Sequence, residues 1–122
     1  MDAAESIEHH LSALAAGAQR TASGHGRLVI ECAGYPLAIE LALRGPLLRA
    51  DATVLPPEAI EPRQLLFWNG QAPLVCFAEN RAGEVIICGE IPVASLDAEL
   101  LDRFLGLLHA GAARARQFVL PG

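Results

Sequence analysis

Between residues 27 and 54 apolar side chains recur at every second position, the period of an extended chain with one buried face. Over 36–43, Leu37, Ile39, Leu41 and Leu43 fall on one side, with Ala38, Glu40 and Ala42 on the other. The segment 27–32 is apolar and β-branched. Residues 47–54 repeat the alternation more weakly, with Arg49, Asp51 and Thr53 outward. Gly34-Tyr35-Pro36 and Gly45-Pro46 supply turns, so the pattern predicts an antiparallel three-strand meander with one wet face.

The period changes on both sides of this meander. Upstream, Ile7, Leu11 and Leu14 share one helical face, and Asp2 with Glu5 has capping-box spacing. An opening helix is predicted there, followed by a Gly- and Ser-rich loop over 17–26. Downstream, the connection 55–62 is stiffened by three prolines, and Pro62 suits the first position of a short helix that Asn69-Gly70 ends. Leu65 and Trp68 share a face of that helix, while Leu66 and Phe67 lie round its side. So short a helix, apolar on several sides, is either an ordinary core helix or part of a subunit interface.

Two further strands follow over 73–79 and 84–90, joined by a hairpin loop at 80–83 with Gly83 placed for a left-handed conformation. Here both faces are apolar: Leu74, Cys76 and Ala78 on one, Val75 and Phe77 on the other. Strands of this kind need cover on both faces. A final helix supplies one cover through Leu100, Leu101, Phe104, Leu105, Leu108 and Ala112. Ser95 is its expected cap. Asp97 and Glu99 at its start, with Arg114 and Arg116 at its end, suit the helix dipole. The sequence holds no second helix of that size, so a partner subunit is the simplest second cover. The predicted fold class is α+β, in the order α-β-β-β-α-β-β-α, with helices packed on an antiparallel sheet in a single domain over 1–122.

Composition narrows the function. Apolar residues make up 52% of the chain, enough for one hydrophobic core. The net charge is −5, and the nine basic residues are all arginines spread along the chain, which argues against nucleic acid as a partner. No apolar run reaches the roughly 20 residues needed to span a bilayer, so no membrane is expected. The N-terminal residues carry acids where an export signal carries bases, and three cysteines without tight spacing fit reduced thiols; a cytoplasmic location is expected.

Candidate chemistry is thin. With a three-residue hairpin loop Cys76 and Cys88 lie opposite each other on one face; with four they fall on opposite faces. Neither belongs to a CxxC pair, and core packing is the expected role for both, as for Cys32. His9 and His10 point about 100° apart on a helix and do not converge. His25 and His109 stand in no nucleophile motif, and Glu31 with Glu40 reads as outward solubilising charge. Neither enzyme activity, metal nor cofactor is expected.

The order of elements, together with the stretch "GEVIICGEIPVASLDAELLDRFLGLL", resembles the class I chaperones of bacterial type III secretion. The matching features are Ile91-Pro92, then Leu96-Asp97, then Leu100, Leu101, Phe104 and Leu108. The resemblance covers nearly the whole chain, in layout alone over the first third. It implies a non-enzymatic cytoplasmic dimer that binds the amino-terminal segment of a secreted effector and holds it non-globular. It further implies a dimer interface at Leu65, Leu66, Phe67, Trp68, Leu74, Val75, Cys76 and Phe77. Effector binding is implied at Ile7, Leu11, Leu14, Leu28, Ile30, Ile39 and Leu41. Alternatives are one subunit of a heterodimeric chaperone serving a secretion gatekeeper, or an adaptor of the same layout without effector cargo.

Overall fold

The computed structural model describes residues 19–22 and 25–119, with side chains from His25 onward. The predicted opening helix, with Ile7, Leu11, Leu14, His9 and His10, lies outside the described residues. The described elements are β1 (Gln19–Ala22), β2 (His25–Cys32), β3 (Tyr35–Arg44), β4 (Leu47–Leu55), α1 (Pro62–Asn69), β5 (Val75–Glu79), β6 (Val85–Pro92), a 3-10 turn (Val93–Ser95) and α2 (Ala98–Val119). The strands form one antiparallel sheet in the order β1-β2-β3-β4-β6-β5.

The meander is the one its alternation predicts. Leu37, Ile39 and Leu41 are fully buried, Leu43 is half-buried and Glu40 is exposed. In β4 the buried set is Leu48, Ala50, Ala52, Val54 and, past a register shift, Leu55, while Thr53 faces water. One expectation fails at the start of the sheet. Part of the stretch 17–26 forms β1 rather than a loop, its backbone pairing Gln19 with Arg27 and Arg20 with Gly26. Glycine and serine content marks weak intrinsic preference, and an unpaired sheet edge overrides it. A second difference concerns the β2–β3 turn. It is made by Ala33 and Gly34, at φ 53° and 89°, and Tyr35 and Pro36 already belong to β3. Two successive left-handed residues match the twist of the flanking strands. Gly45, at φ 59°, and Pro46 form the next turn as predicted.

The hairpin β5–β6 resolves the cysteine register. Asn80 N–H donates to Glu84 O (3.1 Å), and Gly83 sits at φ 81°. The loop proper is therefore residues 81–83, and Cys76 pairs directly with Cys88. Asn80 organises the loop: its Oδ1 accepts from Ala82 N–H and Glu84 N–H at 3.0 and 2.9 Å. Strand β5 starts at Val75, not at residue 73 as predicted. Leu74 takes φ 65°, and Val75 N–H donates to Pro73 O at 2.7 Å, a tight turn that delays the extended chain.

The long helix lies across one face of the sheet. Its cap is Asp97 rather than the predicted Ser95: Asp97 Oδ1 accepts from Leu100 N–H at 2.7 Å, and Ser95 ends the preceding 3-10 turn. Leu101, Phe104, Leu105, Leu108, Ala112 and Ala115 join the same buried cluster as Leu28, Ile39, Leu48, Ile87 and Ile91. The helix sits close to the sheet because Gly111 and Gly89 leave room: a Cβ on Gly111 would strike Ile87, and one on Gly89 would come within 2.7 Å of the Phe104 ring. At its far end Arg116 is buried, at 8% exposure, beneath the β2–β3 turn. Its guanidinium donates to Val54 O (3.1 Å), Cys32 O (3.0 Å), Tyr35 O (3.3 Å) and Pro36 O (3.2 Å).

Candidate protein-binding surface

The sheet has a second face, away from the core cluster, and its character changes from one side to the other. Across β2, β3 and β4 it is charged. Arg27 pairs with Glu40 at 3.3 Å, and Arg49 bridges Asp51 at 3.5 Å and Glu90 at 3.3 Å. The register Asp51–Cys88–Cys76 then carries the same row onto β6 and β5, where Glu90 is the last charge of this face before it turns apolar. Ala78 and Cys76 are exposed there, Ile86 is half-buried, and Leu74 is 42% exposed next to the strand. The predicted second apolar face of β5–β6 is thus real and uncovered within the described chain. Core packing holds for Cys32; Cys88 is buried, but on this second face and outside the core cluster. Core packing fails for Cys76, which points off this open face of the outermost strand.

Helix α1 flanks the free edge of β5. Pro62 opens it, as predicted, and Asn69 closes it with a job the sequence did not announce. Phe77 N–H donates to Asn69 Oδ1 at 2.6 Å, and Asn69 Nδ2 donates to Phe77 O at 3.0 Å. The side-chain amide replaces one residue of a missing neighbour strand and ties α1 to the sheet edge. Asn69→Ala is expected to lower stability by about 1–3 kcal/mol, since both edge groups of Phe77 lose their partner. An unchanged urea midpoint would contradict this role for the amide.

The apolar residues of α1 divide sharply. Trp68 is buried at 5% exposure. It packs against Phe77 (centroids 5.7 Å) and edge-on against Phe118 (5.4 Å), with the Arg114 guanidinium 5.2 Å from its ring centre. Leu66 and Phe67, in contrast, are 70% and 61% exposed. An apolar groove runs along each flank of the helix. One, of about 300 Å³, lies between α1, β5 and α2 and includes Trp68, Val75, Leu107 and Gly111. The other, of about 420 Å³, has Leu65, Phe77 and Val85 in it and the carboxylates of Glu58, Glu61 and Glu79 around it.

Of the eight residues expected at a subunit interface, Leu66, Phe67, Leu74 and Cys76 are at the surface and Leu65 is half-buried. Trp68, Val75 and Phe77 are already buried inside the chain, so they support the surface from beneath rather than forming it. The residues expected to meet an effector need a larger revision. Leu28, Ile39 and Leu41 are at most 3% exposed, and Ile30 packs partly buried against the same core cluster. Their parity places them on the core face of the sheet. The exposed apolar residues of this region are Val29, on the opposite face, and Tyr35 at the turn, 40% and 56% exposed. Strand parity could have separated Val29 from Leu28 and Ile30. Which parity faces the core was not readable from so uniformly apolar a strand.

Groups of catalytic type do not converge among the described residues. Cys32 lies beside His109, but its thiol donates to the His109 backbone carbonyl (3.6 Å) while the imidazole Nε2 meets Glu31 O (3.0 Å). Burial pushes the Cys32 thiol pKa up, against the lowering influence of Arg116, so the thiol is held in its unreactive form. His25 is exposed, and Glu40 pairs with Arg27 rather than with Glu31. Among the described residues there is no group of three or more His, Cys, Asp or Glu placed to hold a metal ion, and no helix long and apolar enough to cross a membrane.

No protein-family profile and no curated protein matches the sequence. Solved structures do match in shape. A chain of the ExsC–ExsE complex superposes with a TM-score of 0.74 at 17% identity, covering 100% of this chain and 99% of its own. The Yersinia pestis type III secretion chaperone SycH, solved with a fragment of YscM2, gives 0.72 at 16% identity over 93% of this chain and 99% of that one. A chain of the HopA1–SchA chaperone–effector complex gives 0.62 at 18% identity, covering 77% and 76%.

Proposed function

We propose, from the premise that this chain carries the α+β fold of the class I type III secretion chaperones, that it is itself such a chaperone. In this reading it works as a dimer without enzymatic activity, binding the amino-terminal chaperone-binding segment of a secreted effector and keeping it non-globular and ready for export. The observation that carries the reading is the uncovered apolar surface of α1 and β5–β6 on a chain of this fold, where a lone protomer would leave Leu66, Phe67 and Leu74 in water.

The mechanism is equilibrium binding. Apolar effector side chains are taken up at about 25 cal/mol per Å² of apolar area, less the cost of ordering the segment. The candidate cargo contacts are Val29 and Tyr35, and β1, at the end of the sheet order, offers a strand edge for β-augmentation. The test is co-purification with an effector encoded in the same genome, followed by limited proteolysis. A protected amino-terminal effector segment, lost about tenfold in affinity in the Val29→Asp, Tyr35→Asp double variant, is the expected result. Binding of a fully folded effector with no protected segment would overturn the reading, as would binding indifferent to both substitutions and to removal of the effector amino terminus.

A further inference from the structure

We infer that Cys76 and Cys88 form an oxidation site, a dithiol that a peroxide closes into an intrachain disulfide and that a thiol buffer reopens. The two residues are register partners on adjacent antiparallel strands, and their sulfurs stand 3.9 Å apart. Both side chains lie on the open face of the sheet. Register partners have Cα atoms about 4.5–5.5 Å apart, inside the range disulfides use. The sulfurs need to approach by about 1.9 Å to reach bonding distance. Strand β5 is the last in the sheet order, so no further strand resists its shift, although the Asn69–Phe77 hydrogen bonds tie its outer edge to α1.

Access differs between the two thiols, and this sets their roles. In the single chain Cys76 is exposed and Cys88 is buried; because Cys76 lies on the surface proposed above for a second copy, the reaction is one of the free protomer. Burial, then the neighbouring Cys76, pushes the Cys88 thiol pKa up, so Cys88 is the poorer first nucleophile. Cys76 thiolate attacks the peroxide: an S–O bond forms, the O–O bond breaks, and the departing hydroxide takes up the proton the thiol had released and leaves as water, giving a sulfenic acid. The Cys88 sulfur then attacks the Cys76 sulfur: the S–S bond forms, the S–O bond breaks, and the hydroxyl leaves as a second water with the Cys88 proton. Two thiols lose two electrons in all, and the peroxide takes them.

The backbone makes this bond a labile one. Phe77 turns its N–H and C=O outward to Asn69, so Cys76, one residue back, belongs to a pair that exchanges hydrogen bonds with β6. In such pairs the Cβ atoms stand near the upper end of about 4.5–5.5 Å, wider than the 3.5–4.5 Å of a relaxed disulfide. Closure therefore strains the strands, and strained disulfides are the easily reduced ones.

The test uses the intact protein, diluted until sedimentation shows single protomers, then treated with hydrogen peroxide, alkylated and cut with trypsin. Cleavage after Arg27, Arg44, Arg63, Arg81 and Arg103 places each cysteine on its own peptide, 28–44, 64–81 and 82–103. The expected product is 64–81 joined to 82–103 with the loss of two hydrogens, while Cys32 stays reduced. Millimolar glutathione should restore both free peptides. In Cys88→Ser, oxidation should stop at Cys76 sulfenic acid or its overoxidised forms. Three intact thiols after peroxide, a cross-link between two copies of 64–81, or overoxidation of Cys76 with Cys88 still free in the natural sequence would each overturn the assignment. A cross-link resistant to glutathione would overturn its reversibility.

Discussion

Arg116→Met is expected to cost about 3–5 kcal/mol of folding stability, a large share of the 5–15 kcal/mol that holds a domain together. The reason is the number of acceptors a single side chain serves. Its fork reaches the carbonyls of Cys32, Tyr35 and Pro36 around the β2–β3 turn and of Val54 near the end of β4. The contacts to Val54 and Cys32 lie in the buried interior, where a carbonyl that loses its donor finds no water. Among the described residues no carboxylate pairs with Arg116, so the charge is balanced by these carbonyls and by its place in the last turn of α2. Arg116→Lys should recover part of the loss, because an ammonium keeps the charge but cannot span the same four acceptors. Urea unfolding read by circular dichroism measures both. A change below about 1 kcal/mol for Arg116→Met would mean that the buried fork is not holding the turn to the helix.

The double substitution Leu66→Asp, Phe67→Asp should leave the fold intact and weaken self-association by about 100-fold or more. Both side chains stand in water in the single chain, so their loss removes little internal packing. In a two-fold symmetric dimer each substitution occurs twice, and four carboxylates would have to be buried against apolar surface. The existing carboxylates of Glu58, Glu61 and Glu79 beside the same helix add repulsion. Sedimentation equilibrium across a dilution series gives the dissociation constant, and circular dichroism checks that folding is retained. A folded variant that dimerises as tightly as the natural sequence would remove α1 from the interface. Trp68→Asp is unsuitable for this purpose: the indole is internal, wedged between Phe77, Phe118 and Arg114, and its loss would unfold the chain first.

What could be read in advance follows from which signals are periodic. Alternation placed β3 and β4 and oriented Leu37, Ile39 and Leu41 correctly, because a period of two survives in sequence. The stripe of α2 was legible for the same reason. The resemblance carried by residues 83–108 pointed to the fold that the solved structures share. Polar residues with internal tasks were not legible. Arg116 reads as a solvated charge at a helix end, and Asn69 as a helix stop; only the folded chain brings Val54 and Phe77 to them. Trp68 was ambiguous because a tryptophan suits a core and an interface equally well. Leu28, Ile39 and Leu41 were placed on a binding surface by the resemblance alone, although the alternation of β3 already set Ile39 and Leu41 opposite Glu40, on the side that proves buried.

The strand order has one more implication. Since β6 inserts between β4 and β5, the surface offered to a second copy stands on one flank of a seam, and the proposed cargo contacts stand on the other. In the proposed dimer, assembly and client capture would therefore be mechanically partitioned. Any influence of one upon the other has to travel across the β4–β6 ladder or along the long helix laid over both halves.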